Sequence, residues 1–422
     1  MNKIIRYIII QILFIQNLCE ILFNFQRNKT KYTSSKNDTE IFTYLSENFL
    51  FTNIKLGTPY QEIPLRISTE YNGLNILSKS AMDKLISFDQ SNSSSYYNIS
   101  EEIEGNLEFF NKIILSKETF NFNNTIIANN LSFVLGVSNN KNYSGTIGLR
   151  KISNLKDNIT IIEELKKSNY IKNKVFQLKY NNISEESGIL IVGNENYSKS
   201  DSNFTFEKIP TISLELTWGF TLLKITSGKD EISKEEINAK LNFDNGLILG
   251  SNSYNNSIYL KFFKDKLNSS LCETIIINDL LHYTCKKEVN IREFPNLVFN
   301  SKESNLQFNL TYEDLFIELN EKYFFLINFK YTNKSELIEF WDFGSPFLKK
   351  YSFICDRDNN IIGFYNNKTN QKNDFPYFMI IIIIFGVVII SLLVYILYYI
   401  LNKKEKKKAH ELSEDVTNEK LI

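Results

Sequence analysis

The sequence predicts a strand-rich protein followed by one membrane-spanning helix near the carboxyl end. Residues 42–180 contain short β-branched and aromatic runs at regular spacing, separated by Asn, Ser and Gly, which is typical of an all-β domain. The runs at residues 53–56 and 62–67 flank a Gly-Thr-Pro turn and predict a β-hairpin. Residues 375–401 contain no charge and are rich in Ile, Val and Leu, as in a membrane helix. The expected fold class is all-β with a single transmembrane helix.

The amino end has the pattern of a secretory signal. Lys3 and Arg6 precede a largely apolar stretch over residues 7–18. We therefore expect residues 1–24 to be a signal peptide or, if uncleaved, a signal anchor. The mainly polar residues 25–42 are expected to form a short flexible leader.

Composition excludes several classes of function. Hydrophobic residues make up 43% and aromatic residues 14% of the chain, which is a globular composition. Lys plus Arg equals Asp plus Glu at 48 each, so the lack of a basic excess argues against a nucleic-acid partner. The only histidines are His282 and His410, and no paired CxxC is present, so neither a metal site nor a cofactor is expected. A histidine-based mechanism would have to depend on His282.

The four cysteines differ in their surroundings. Cys19 lies in the apolar amino-terminal stretch. Cys272 and Cys285 are close enough in sequence to close one small loop, which suits a secreted protein. Cys355 has no evident partner.

Several motifs occur in the order and spacing of pepsin-like aspartic peptidases. Residues 88–97, FDQSNSSSYY, are similar to the family's F-D-P-x-x-S-S-T-Y segment, and residues 144–149, SGTIGL, resemble its D-G-I-L-G-L element. An amphipathic helix over residues 161–170 precedes a strand, as in the family. Residues 340–364 resemble the segment that closes the fold. The resemblance extends over residues 44–365.

This resemblance implies a two-lobed pepsin-like fold with a cleft between the lobes. The expected N-terminal lobe covers residues 43–207 and the expected C-terminal lobe covers residues 208–370. The family carries a disulfide in the region that contains Cys272 and Cys285, so the resemblance implies that these two residues are bonded.

The family's second catalytic loop corresponds to Asp244-Asn245-Gly246, where Asp-Thr-Gly or Asp-Ser-Gly is usual. Aspartic peptidases use two carboxylates about 3 Å apart that share one proton, one acting as base and the other as acid. Asp244 retains the acid of this loop. Gly246 retains the residue that keeps the backbone tight, and Asn245 replaces the hydroxyl.

The first catalytic loop is more strongly altered, because Ser68-Thr69-Glu70 replaces Asp-Thr-Gly. Ser68 occupies the acid position, and a Ser hydroxyl without a base is a weak nucleophile. Only Thr69 is retained. Glu70 points broadly the same way as Ser68 along an extended segment, so a Glu70 carboxylate reaching toward Asp244 is the one substitute pair available.

Other family positions support the loops or have changed. Gly148 is expected where the backbone passes close to the first loop, and only Gly permits that approach. Gly344 belongs to the closing segment, where Ser345 stands in place of an Asp. The flap region contains Gly105 but no Tyr, and Asn75 replaces the Trp that supports the flap Tyr.

The carboxyl end predicts a type I membrane protein. At about 1.5 Å per residue, a helix over residues 375–401 is long enough to cross a bilayer about 30 Å thick. The Lys-rich residues 403–408 follow directly, which indicates a cytoplasmic flank. We therefore expect residues 402–422 to be a cytoplasmic tail and the rest to lie outside or in the lumen of the secretory pathway.

About sixteen N-x-S/T sequons precede this segment and none follows it, so N-glycans are expected on the outer side. Examples are Asn98, Asn130, Asn182, Asn268 and Asn309. Their distribution agrees with the topology that the lysines indicate.

Three functional hypotheses remain open. The first is a membrane-anchored, pepsin-like glycoprotein that is catalytically inactive but keeps a cleft for an extended peptide or protein segment. The second is an active aspartic endopeptidase in which Asp244 works with Glu70 or with water. The third is a surface or adhesion glycoprotein whose cleft is vestigial.

Overall fold

β-strands dominate the computed structural model, as the regular spacing of short apolar runs predicts. The structure describes residues 20–27, 37–81, 85–104, 110–122, 126–139, 144–151, 160–181, 186–194, 204–212, 217–233, 235–331 and 340–367. The described residues up to Asn366 belong to one compact unit.

The strands fall into two sheets. In the first half of the chain they are β1 (Ile21–Arg27), β2 (Leu50–Leu56), β3 (Gln61–Ser68), β4 (Leu74–Leu77), β5 (Tyr97–Asn98), β6 (Ile103–Glu104), β7 (Phe110–Phe122), β8 (Ile126–Asn139), β9 (Gly145–Gly148), β10 (Val175–Tyr180), β11 (Ser187–Val192) and β12 (Phe204–Pro210). In the second half they are β13 (Gly219–Ser227), β14 (Asp230–Ser233), β15 (Ile237–Leu241), β16 (Ile248–Gly250), β17 (Cys272–Ile277), β18 (Leu280–Lys286), β19 (Leu297–Ser301), β20 (Gln307–Leu310), β21 (Phe316–Leu319), β22 (Lys322–Phe325), β23 (Ile327–Lys330), β24 (Phe340–Phe343), β25 (Phe353–Asp356) and β26 (Ile361–Asn367).

The helices are short. They are α1 (Asp38–Ser46), α2 (Ile161–Lys167), α3 (Asn255–Ile258), α4 (Lys264–Asn268), α5 (Tyr312–Leu315) and α6 (Ser345–Lys350), with a π-helical turn over Tyr259–Phe263 between α3 and α4. The predicted amphipathic helix is confirmed as α2, which buries Ile161, Ile162 and Leu165. Its first turn is capped by Thr160, whose side chain accepts a hydrogen bond from the Glu163 amide.

The first sheet has fourteen strands in the order β12-β26-β25-β10-β11-β1-β2-β3-β9-β4-β8-β7-β5, with β6 paired to β7. The second has twelve strands in the order β20-β19-β13-β15-β24-β16-β23-β18-β22-β21, with β14 paired to β13 and β17 to β18. The predicted lobe boundary near residue 207 does not separate the sheets completely, because β25 and β26 return to the first sheet. The two lobes are therefore joined through a shared sheet.

The predicted hairpin is confirmed as β2 and β3, which pair antiparallel with Leu50 opposite Ile67 and Ile54 opposite Ile63. Alternate side chains of β2 are buried, which is why the sequence shows a period of two. β3 also pairs parallel with β9, so that Ser68 lies beside Gly148. A Cβ on Gly148 would lie 2.6 Å from the Tyr71 carbonyl oxygen, which explains why this position is glycine.

The amino-terminal leader differs from the expected flexible segment at both of its ends. Residues 21–27 form β1, which lies between β11 and β2. Residues 38–46 form α1, whose first turn is capped by the Asn37 side chain. The predicted boundary at residue 24 therefore falls inside a strand. Buried side chains at Ile21, Phe23 and Phe25 hold that strand in the sheet.

The expected disulfide between Cys272 and Cys285 is present and joins β17 to β18. Cys355 is a buried free thiol in β25. In the part of the chain that the structure describes, no helix is both long and apolar enough to cross a membrane. The predicted transmembrane segment, residues 375–401, and the tail lie outside that part.

Candidate active site

The two loops that correspond to the catalytic loops meet at the ends of β3 and β15. The Ser68 hydroxyl donates a hydrogen bond to Asp244 Oδ2 at 2.6 Å. Ser68 is fully buried and Asp244 is nearly so. The structure thus brings together the two positions at which an aspartic peptidase carries its carboxylates, but only one of them is an acid.

Arg66 occupies the other side of the Asp244 carboxylate. Its Nε and one terminal nitrogen donate to Asp244 Oδ1 at 2.9 and 2.5 Å, and both side chains are less than 10% exposed. The guanidinium also lies 4.0 Å from the ring centroid of Phe49 and 5.7 Å from that of Tyr71. The sequence reasoning missed this residue, although its place two residues before Ser68 puts both side chains on one face of β3.

The electrostatic state of Asp244 follows from these contacts. Burial raises the pKa of Asp244, while the Arg66 charge and the Ser68 hydroxyl favour the ionised form and oppose that rise. The nearby Glu70 charge raises the pKa further. Because Arg66 binds one carboxylate oxygen and Ser68 binds the other, Asp244 is held by a cation and a hydroxyl rather than by a second carboxyl group.

The Thr69 hydroxyl bridges the two loops by hydrogen bonds, as its retention in the first loop predicts. Its hydroxyl accepts from the Phe243 amide at 3.1 Å and donates to the Leu241 carbonyl at 3.4 Å. The second loop does not reciprocate, because the Asn245 side chain accepts from the Leu247 amide within its own turn. Only the first loop therefore bridges to the other loop through a side-chain hydroxyl.

Glu70 is exposed and does not complete a carboxylate pair with Asp244. Its Oε1 accepts from Asn242 Nδ2 at 2.8 Å, and its amide donates to the Ser68 hydroxyl at 3.1 Å. Among the described residues, no hydrogen bond joins the two carboxyl groups. The substitute pair considered from the sequence thus lacks the contact that proton sharing requires.

A second buried acid, Asp342, lies behind Glu70 and was not predicted. Asn242 Nδ2, which binds Glu70, also donates to Asp342 Oδ2 at 3.0 Å. Lys240 pairs with the same oxygen at 3.2 Å. Burial raises the pKa of Asp342, and the Lys240 charge opposes that rise. These contacts link Asn242 to Glu70 and Asp342, and they place no second carboxyl group in hydrogen-bond contact with Asp244.

The supporting glycines lie at close backbone contacts. A Cβ on Gly246 would overlap the Leu45 carbonyl oxygen, and the Gly246 amide donates to the Ser46 carbonyl at 2.8 Å. A Cβ on Gly344 would overlap the Leu247 carbonyl oxygen. The Gly105 of the flap region lies outside the described residues.

The remaining changed positions have structural partners. Ser345 is buried, and its amide donates to the Asn245 carbonyl at 2.8 Å. Asn75 is buried, and its side chain donates to the Asn72 carbonyl at 2.9 Å and to the Thr146 hydroxyl at 3.0 Å. The Ser345 amide and the Asn75 side chain thus hold segments next to the two loops.

His282 lies in β18 and contacts the Phe42 ring rather than the loop residues. Burial lowers the pKa of His282 to about 4, so the imidazole is neutral at pH 7. Within the described ranges, no group of three or more His, Cys, Asp or Glu side chains is placed to hold a metal ion.

Two packed β-lobes with paired loops at their junction define a protein of the pepsin type. A model of the eukaryotic aspartyl protease family matches residues 49–367 of the chain. The chain therefore belongs to the eukaryotic aspartyl protease family. A comparison with curated proteins finds no match.

Proposed function

We propose that the chain is a membrane-anchored, pepsin-like glycoprotein without peptidase activity, which binds an extended peptide or protein segment. The observation that carries the proposal is the contact of Arg66 and Ser68 with the two oxygens of Asp244. An aspartic peptidase needs a proton shared between two carboxyl groups so that one of them can activate water. Here the single carboxylate is paired with a buried cation.

Several independent changes support inactivity. Asp244 is the only acid at the two catalytic positions, and its side chain is 5% exposed, so water has little access to it. Ser68 donates its hydroxyl to Asp244, and because Arg66 already holds that carboxylate in an ion pair, no unpaired base is left to activate the hydroxyl. Losing one member of a catalytic unit commonly costs several orders of magnitude in rate.

Peptide binding is supported by the parts of the fold that remain. The Thr69 bridge keeps the first loop against Phe243 and Leu241 at the junction of the lobes. In folds of this kind an extended segment can bind through backbone hydrogen bonds, which do not depend on the catalytic acids. Glu70 is exposed beside the junction and offers a carboxylate to such a segment.

The membrane and glycan parts of the proposal depend on sequence. Residues 375–401 and the following lysines favour a type I topology in the secretory pathway or at the cell surface. Two of the sequon residues, Asn98 and Asn268, are exposed in the fold, so glycans at these positions would not disturb the core.

The decisive experiment compares the purified full chain with its Asp244→Asn variant on unfolded protein at acid pH. We expect no pepstatin-sensitive cleavage from either. Cleavage by the unmodified chain that disappears in Asp244→Asn would overturn the proposal in favour of an active endopeptidase. Saturable binding of peptides or pepstatin without cleavage supports the binding role, whereas absence of saturable binding would favour the adhesion hypothesis.

A reconstruction experiment tests whether the first loop alone explains inactivity. The variant Ser68→Asp with Glu70→Gly restores the first tripeptide but leaves Arg66 beside Asp244 and Asn245 in the second loop. We expect little activity from it, and also little when Arg66→Leu is added, because the flap has no Tyr. Rapid turnover by either variant would contradict the view that the departures are concerted.

A further inference from the structure

We propose that α1 is a latch on the Asp244 loop and that protonation of His282 releases it at acid pH. The latch consists of residues 38–46 and the surface of the second lobe on which they pack. This is a conformational device separate from peptide binding or cleavage, so it does not depend on the proposed function.

The latch surface is apolar. Ile41, Phe42 and Leu45 of α1 are buried against Leu247, which follows the Asp244 loop, and against Phe324 of β22. The Phe42 and Phe324 rings meet edge to face, with centroids 5.2 Å apart. Most of the free energy that holds the helix therefore comes from apolar burial, which tolerates a charge poorly.

The end of α1 contacts the Asp244 loop directly. The Gly246 amide donates to the Ser46 carbonyl, and Glu47 forms a β-bridge with Asn245. Arg27 donates to the Glu47 carbonyl at 2.7 Å and so fixes the same turn from β1. Movement of α1 would break the contacts that position residues 245 and 246, which directly follow Asp244.

A cavity of about 290 Å³ lies beside this contact, with Leu45, Gly246 and Ser345 among its lining residues. The cavity is next to the end of the helix, so α1 has open space beside it rather than packed core. Water entering there could solvate the Ser46 carbonyl and the Gly246 amide once they separate.

His282 lies at the centre of the latch surface. It is 2% exposed, its ring centroid is 4.1 Å from that of Phe42, and its Nδ1 has no hydrogen-bond partner. Burial lowers the pKa of His282 to about 4, from 6.5 for an exposed imidazole. A proton on this ring would place an unpaired charge between α1 and the sheet, and release of the helix is the motion that exposes the ring to water.

The charged groups around the latch do not replace His282 as the trigger. Lys322 pairs with Asp38 of α1 at 2.7 Å and with Glu273 of β17 at 2.9 Å. The Lys322 contact lowers the pKa of Glu273 below the usual value of a glutamate, so Glu273 stays ionised where an exposed imidazole takes up a proton. The other charged side chains on α1 and on the strands paired with β17 and β18 are Glu40, Lys286 and Lys330. His282 is the one histidine in the described part of the chain.

The expected pH dependence follows by linkage. Above pH 6.5 the ring is neutral in both the latched and the released states, and the latch is at full strength. Between pH 6.5 and about 4 only the released state binds the proton, so the opening constant rises by up to ten-fold for each unit that the pH falls. The total increase is roughly 300-fold, and it levels off below pH 4.

Hydrogen exchange of the α1 amides in the full chain tests the latch. After correction for the intrinsic exchange rate, we expect protection of residues 38–46 to fall at least ten-fold between pH 7 and pH 5. The variant His282→Phe keeps an aromatic ring against Phe42 but cannot take up a proton, so its protection should not change over this range. The control Lys322→Gln should lower protection at both pH values and keep the pH-dependent fall.

Two results would overturn the proposal: equal α1 protection at pH 7 and pH 5 in the unmodified chain, or an unchanged fall in His282→Phe. If His282→Phe does not fold, an NMR titration of His282 in the unmodified chain decides instead. An ordinary pKa near 6.5 with α1 still protected would show that the ring is solvated in the latched state, and the proposal would fail.

Discussion

Arg66 and Ser68 act on Asp244 together because side chains two residues apart on a strand point to the same face. β3 therefore delivers both a cation and a hydroxyl to the position where an aspartic peptidase presents a carboxyl group. A buried ion pair is weak evidence for stability, since desolvation offsets much of the attraction. The ion pair has a clearer chemical consequence, because it gives Asp244, the one carboxylate at the two catalytic positions, a structural partner.

Arg66→Met is expected to destabilise the fold by about 3–5 kcal/mol at pH 7, because it leaves a buried carboxylate without its cation. Met retains the apolar contact that the Arg stem makes beside Phe49. Without Arg66 the pKa of Asp244 in the folded state rises further. As the pH rises above about 4, the Asp244 carboxyl then ionises more readily in the unfolded chain than in the folded one, so the free energy of unfolding of the variant falls. Relative to the unmodified chain, the variant should therefore be most stable near pH 4.

Denaturant unfolding of Arg66→Met between pH 4 and pH 7 measures this effect. The matched control is Arg66→Met with Asp244→Asn, in which no buried charge remains and the added pH dependence should disappear. Equal stability of Arg66→Met and the unmodified chain at pH 7 would show that Asp244 is already solvated or protonated.

Motif spacing identified several residues of the site but not the contacts that these residues make. Ser68, Asp244, Gly148, Gly246 and Gly344 could be placed from motif spacing, and the structure brings Ser68 and Asp244 to within hydrogen-bond distance. Arg66 was missed because its partner lies 178 residues away, and a period of two says which face a side chain occupies but not what it meets there. Asn242 and Asp342 were missed for the same reason.

Among the elements, β1 and α1 are the ones that sequence reasoning assigned differently. Residues 1–24 were expected to be a signal and residues 25–42 a polar leader, but β1 alternates buried and exposed positions and pairs with β11 over six residue pairs, from Ile21–Val192 to Gln26–Ser187. A pattern of this length next to an apolar signal is hard to separate from the signal itself. The sheet that β1 joins is formed by strands distant in sequence, so local propensity could not reveal it.

We predict that signal cleavage leaves β1 intact, so that the mature chain begins at Glu20 or earlier. Ile21 is fully buried, and the Glu20 carboxylate accepts a hydrogen bond from Asn194 at 2.9 Å. The cleavage point is measured by mass spectrometry of the amino-terminal peptide, on protein isolated after it has entered the secretory pathway. Cleavage after residue 24, with the fold retained, would contradict the prediction. A chain that begins at residue 28 should fail to fold, because it leaves β11 and β2 without their common partner.

At the scale of the whole molecule, the two lobes share more than a linker. β25, which follows the second-lobe sheet in sequence, pairs with β10 of the first sheet, and β26 pairs with β25. The Trp218 indole, which precedes β13, donates to the Leu149 carbonyl of the first lobe at 2.8 Å. Motif order predicted the pepsin-like fold, but it contained no signal that strands from both ends of the domain complete one sheet.

We therefore predict that the two lobes unfold in one cooperative transition. Cys355 is a fully buried free thiol in β25 of the first sheet, and Trp341 is a fully buried side chain in β24 of the second. In a background that carries Cys19→Ser and Trp218→Phe, Cys355 is the only cysteine outside the disulfide and Trp341 is the only tryptophan, so thiol labelling reports on one sheet and fluorescence on the other. Because Phe176 and Phe243 also pack across the junction, with ring centroids 6.2 Å apart, opening either sheet exposes the apolar surface of both. Coincident denaturant midpoints are expected, while separated midpoints would show that the shared strands do not couple the lobes.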